Sequence, residues 1–155
     1  MEVFIHFLHL IGSGVFIGVG LFVGIAMIPA ARAALEDKDR IAFLSALGPR
    51  SKIIIWSSIG IAVITGFYRI RTLFGTTLWR TSYGHWLEAK IILVLAAIAL
   101  AWIHDFVLGP KMARTPPGTP EFIQIRKRLV VLAQIQLVLM LAVVFIGAKL
   151  RLYTW

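Results

Sequence analysis

Four apolar runs, at about residues 4–28, 52–70, 86–107 and 129–148, decide what this chain can fold into. Crossing roughly 30 Å of hydrocarbon takes about 20 residues at about 1.5 Å of rise each, and every run comes close to that length. Lipid offers no hydrogen bonds to an open backbone, so a run of this kind crosses as a helix. The sequence therefore predicts an all-α integral membrane protein. The expected architecture is a four-helix up-down bundle in a single transmembrane domain over residues 1–155, with 108–128 as a long loop. Composition agrees, because 59% of residues are hydrophobic and 15% charged, whereas ordinary soluble domains carry about 25% charged residues. The first run has no basic stretch ahead of it and reads as a retained span. With no cysteine, disulfides and thiolate ligands are excluded, and a metal would rest on His, Met, carboxylate or a porphyrin. No internal sequence repeat stands out.

The net charge of +9 comes from Lys and Arg placed mostly between the runs or at their ends, which suits anionic lipid headgroups and not nucleic acid. Ten of these residues fall in the first and third connections (Arg32, Lys38, Arg40, Arg50, Lys52, Lys111, Arg114, Arg126, Lys127, Arg128) against six on the other side. The positive-inside rule then predicts a plasma (inner) membrane protein with both termini outside the cytoplasm.

The first run, FIHFLHLIGSGVFIGVGLFVGIAM, carries two histidines in a segment built for lipid. At about 100° per residue, His6, His9, Ser13, Phe16, Gly20, Gly24 and Met27 share one face, which should look into protein. Ionisable groups inside a span are functional candidates by default. Pro29 and AARAALEDKDRIAFLSALGPRSK form a polar connection with room for a short interfacial helix. In the second run Ser58, Ala62, Thr65 and Arg69 share a face. RIRTLFGTTLWRTSYGHW follows, with Trp79, Tyr83 and Trp86 suited to headgroup level. On the third run Lys90, Val94, Ala97, Ala101 and His104 make one stripe. The stretch LGPKMARTPPGTPE, with four prolines and two glycines, cannot continue a helix. On the fourth run Gln136, Met140 and Gly147 share a face.

An up-down bundle collects His6, His9, Arg69, His85, Glu88 and Lys90 at one membrane face and leaves His104 at the other. Two imidazoles on different helices can hold a b-type haem. On depth, His9 and His85 are the best pair, His6 lies a turn nearer the surface, Arg69 or Lys90 would meet the propionates, and Gly20 would leave room for the macrocycle. This favours a haem b protein that passes electrons as a small subunit of a redox complex, an oxidoreductase component. The alternatives are a copper transport or resistance protein using His6 and His9, and a cofactor-free structural subunit. The GxxxG spacings Gly14/Gly18 and Gly20/Gly24 fit a homodimer or other membrane subunits.

The residues also carry a resemblance. FIHFLHLIGSGVFIGVGLFVGIAMIPAAR, KIIIWSSIGIAVITGFYRI and WLEAKIILVLAAIALAWIHDFVLGPKM resemble the spans of CopD-type and HemJ-type membrane proteins. The HemJ-type likeness implies haem-dependent protoporphyrinogen oxidation, with a haem role for His9 and a functional role for Lys90. HemJ-type sequences place a histidine directly before the Ala-Lys pair, where this chain has Glu88. The CopD-type likeness implies copper uptake or resistance and carries over only the first-span histidine.

Overall fold

A computed structural model describes residues 1–73 and 80–152, so the expectation for Trp79 lies outside the described residues. Every regular element among them is helical, and four long apolar helical rods cover Glu2–Ala34, Asp37–Thr72, Ser82–Arg114 and Pro120–Arg151. The expected all-α membrane fold is met. The described residues fall into two compact units, one on each side of the 74–79 stretch.

The first unit is an antiparallel helical hairpin. Helix α1 (Glu2–Leu21) widens into a π-helical segment, Phe22–Met27, and returns to α-helix as α2 (Ile28–Ala34). The chain turns at Leu35 and Glu36 and comes back as α3 (Asp37–Leu73). The second unit repeats the plan: α4 (Ser82–Trp102), a π segment at Ile103–Leu108, α5 (Gly109–Arg114), a turn, and α6 (Pro120–Arg151).

Both rods outrun the spans expected from hydropathy, and the connections shrink accordingly. The Ala-rich sequence after Pro29 is a strong helix former, and the first connection narrows to two residues. Pro110 likewise sits inside a helical rod, where LGPKMARTPPGTPE was expected to stop at once. Proline lacks an N–H and clashes with the carbonyl four residues back, and a π turn just before it takes up the misfit. Each π segment here ends shortly before such a proline, Pro29 or Pro110. The real stop comes at residues 115–119, where Thr115 is extended and Gly118 adopts φ +82°. Thr119 then caps α6 by accepting a hydrogen bond from the Phe122 N–H at 3.2 Å, with Pro120 at the first helical position.

The plan recurs in register. Phe22 and Ile103 open the two π segments 81 positions apart, and the same offset joins Pro29 to Pro110, His9 to Lys90 and Gly66 to Gly147. Ile59 and Met140, also so related, are both buried, as are Thr65 and Ile146. Few residues are identical at this offset, which is why no repeat shows in the sequence. What repeats is the backbone plan and the buried face.

In lipid, apolar burial does not drive helices together, and small residues that let backbones approach take over. Gly12 does this in the first unit: a Cβ there would lie 2.8 Å from the Ser58 carbonyl oxygen and 3.0 Å from the Ala62 nitrogen. Ser58 and Thr65 are buried, as the second-run face predicts, with their hydroxyls turned onto their own helix: Ser58 Oγ donates to Ile55 O and Thr65 Oγ1 to Ile61 O. Ala97 and Met140, both 3% exposed, play the matching part in the second unit. The faces bearing Ile53, Ile64, Phe67, Ile92, Val138 and Phe145 are exposed and apolar, as a helix facing lipid requires.

Gly12→Ala should therefore lower hairpin stability by about 1–3 kcal/mol despite alanine's better helix propensity. Gly14→Ala, where a Cβ would meet nothing within 4 Å, should be neutral or slightly stabilising. Thermal unfolding of the purified protein in detergent, followed by circular dichroism, compares the two.

Candidate metal-handling site

Gly12 sets the geometry around His9. One turn toward the N-terminus on the same face of α1, the imidazole is held against α3 where that helix offers a carbonyl and a glycine. His9 Nδ1 lies 2.8 Å from the Ala62 carbonyl oxygen and 3.2 Å from Thr65 Oγ1. A carbonyl only accepts, so Nδ1 carries the hydrogen and donates it. Thr65 gives its own proton to Ile61 O at 2.5 Å, which leaves its oxygen as a second acceptor for the same N–H. An Nδ1–H donated to a backbone carbonyl is the arrangement typical of a metal-binding histidine, and in the neutral ring it leaves Nε2 as the basic nitrogen. Gly66 makes room: a Cβ there would come 3.1 Å from His9 Cε1.

Toward the N-terminus the donors continue down one side of α1, with His6 three and Glu2 seven residues before His9. A cavity of about 190 Å³ opens among Glu2, Val3, Ile5, His6, Tyr68, Arg69 and Thr72. His6 and Arg69 are thus brought to one place. Carboxylate, imidazole, phenol and guanidinium all line this mouth, within a turn or two of His9.

In the second unit Lys90 takes the position that His9 holds in the first. Its Nζ lies over Gly147, at 3.4 Å from where a Cβ would stand. One turn back, Trp86 receives Lys149 Nζ at 3.5 Å from its ring centre, a cation–π contact. The fourth-run face is met: Met140 is buried, Gly147 underlies Lys90, and the Gln136 amide atoms are buried with no hydrogen-bond partner among the described residues. His85 is exposed in the first turn of α4, where its backbone N–H bonds to Thr81 O. Gly20, Gly24 and Glu88 are exposed as well. At the far end of α4, His104 Nδ1 and Asp105 Oδ1 are 2.8 Å apart.

Periodicity puts His9, Gly20 and Gly24 on one face of the first run; His9 meets α3, whereas Gly20 and Gly24 are exposed, and the glycines at the close approach are Gly12 and Gly66. Pairing the helices antiparallel and asking which glycines then face each other across the hairpin is the signal that finds them. Among the described residues no three of His, Cys, Asp and Glu converge as a metal-binding group.

The profile of the CopD family, copper resistance protein D, matches residues 46–150, which is most of α3, all of α4 and α5, and α6 up to its last residue. The chain belongs to the CopD family. It is a four-helix CopD-family integral membrane protein, and the family associates it with copper and gives no support to haem. No curated protein and no solved structure matches it. His6 and His9 precede the matched residues, whereas Lys90, His85 and His104 fall within them.

The tautomer is directly measurable. In ¹⁵N-histidine-labelled protein at neutral pH, His9 should show a protonated Nδ1 and an unprotonated Nε2, and Thr65→Val should keep this pattern because Ala62 O remains. A protonated Nε2 with bare Nδ1 would contradict the geometry.

Proposed function

We propose that this CopD-family protein passes copper into or through the membrane, with His9 as the intramembrane ligand and His6 as its partner one turn nearer the surface. The observation that supports this reading is the His9 ring itself, whose Nδ1–H is committed to Ala62 O, which makes Nε2 the nitrogen a metal would take in this proposal. Imidazole suits copper, and two nitrogens on one helix face give a weak, transferable site in place of a closed chelate. That is the behaviour wanted of a cargo site. The cavity at Glu2, His6 and Arg69 is then the mouth through which the ion arrives. The family supports the association with copper, and the choice of His9 and His6, which precede its matched residues, rests on the geometry of α1 and α3.

Orientation follows from charge. Ten Lys and Arg at the α2/α3 and α5/α6 turns and their flanks, against six at the other end, support a cytoplasmic side for the turns and an outer side for both termini and the His6 mouth. Partner subunits or a second copy would meet the exposed Gly14/Gly18 stripe of α1.

Copper binding by the purified protein, measured anaerobically by competition with a chromogenic copper(I) chelator, tests the reading. His9→Ala should abolish binding, Thr65→Val should weaken it about tenfold by removing an outer-shell acceptor, and His104→Ala should leave it unchanged. An alkaline pyridine spectrum run alongside decides against the proposal if it shows stoichiometric porphyrin and the metal analysis shows no copper.

A further inference from the structure

A second feature, unrelated to copper, lies in the hairpin formed by α4 and α6. A groove of about 460 Å³ runs between the π segment of the third rod and the start of the fourth, lined by Ile103, Leu108, Val131 and Leu132 with Lys127 and Arg128 at one end. Its chemistry is divided along its length. The four aliphatic side chains belong to rods long and apolar enough to cross a membrane, whereas Lys127 and Arg128 stand exposed at the end of the apolar run. Nearby charges of opposite sign are engaged elsewhere: Glu121 pairs with Lys111 at 3.0 Å and Asp105 with His104. Neither Lys127 nor Arg128 forms an ion pair among the described residues.

We propose that this groove holds an anionic phospholipid, its acyl chain against Ile103, Val131 and Leu132 and its phosphate between Lys127 and Arg128. Charge complementarity selects the occupant. A zwitterionic lipid would bring a choline or ethanolamine cation to two basic side chains, whereas phosphatidylglycerol or cardiolipin brings only negative charge. A basic groove at the membrane edge, apolar below and cationic above, is the form such headgroup sites take. The widened π turn at Ile103–Leu108 departs from regular α-helical packing where the groove lies.

Native mass spectrometry of the detergent-released protein, titrated with equal mixtures of dioleoylphosphatidylglycerol and dioleoylphosphatidylcholine, reads the preference. The wild type should retain phosphatidylglycerol selectively. Lys127→Gln/Arg128→Gln should lower the ratio of the two adducts by roughly thirty-fold at low salt, the loss of two basic groups at an anionic headgroup. Val131→Trp, which fills the apolar part, should remove adducts of both lipids. As a charge-matched control, Lys38→Gln/Arg50→Gln in the first hairpin should leave the ratio as in wild type. Equal retention of both lipids by the wild type, or an equal drop in the control, would overturn the site, and folding of each variant is checked by its thermal transition.

Discussion

The structure depends on how two helices hold together in a solvent as apolar as themselves. Water cannot drive α1 onto α3 within the bilayer, so contact rests on close backbone approach and on polar groups that find partners inside the protein. Gly12 provides the first, by letting α1 come within a Cβ's radius of the Ser58 carbonyl. His9 provides the second, with its N–H on Ala62 O. The two are coupled through position: three residues apart on one face, the glycine brings the helix close enough for the histidine to reach a backbone that is already bonded within its own helix. A feature that reads as function in the sequence is therefore also part of the packing, and the same bond that joins the helices fixes which ring nitrogen carries the hydrogen.

Much of the fold was legible in hydropathy. The four spans and the inward faces of α3, α4 and α6 follow from periodicity, and Ser58, Thr65, Ala97, Ala101 and Met140 are buried where that reasoning places them. Helix ends were less legible, because the rods continue past the apolar runs through Ala-rich and proline-containing sequence. Apolarity marks where a helix meets lipid, not where it ends. The prolines misled for a physical reason: a π turn ahead of Pro29 and of Pro110 removes the clash that would have stopped the helix. The glycines misled because a single helix presents several, and only the partner backbone decides which one is close-packed.

The recurrence of the hairpin plan gives Lys90 a meaning that neither composition nor motif provides. It stands where His9 stands, over a glycine that matches Gly66, so the two units share one architecture and differ in the group they hold against it. One holds an imidazole there and the other a lysine amine. The family match covers nearly all of the unit with the lysine and only part of the unit with the imidazole. Sequence likeness and local chemistry thus draw attention to different halves of the same plan.

The spacing between the polar residue and the proline has its own consequence. His9 and Pro29, like Lys90 and Pro110, are 20 positions apart, which along a helix is about 30 Å, the thickness of the hydrocarbon layer. A bilayer that takes the proline end among its headgroups on one side brings the imidazole to the opposite boundary, where hydrocarbon gives way to water. The rod acts as a ruler cut to the bilayer. Membrane thickness then becomes a control on solvent access: a thin bilayer leaves His9 at the water's edge, and a thick one submerges it.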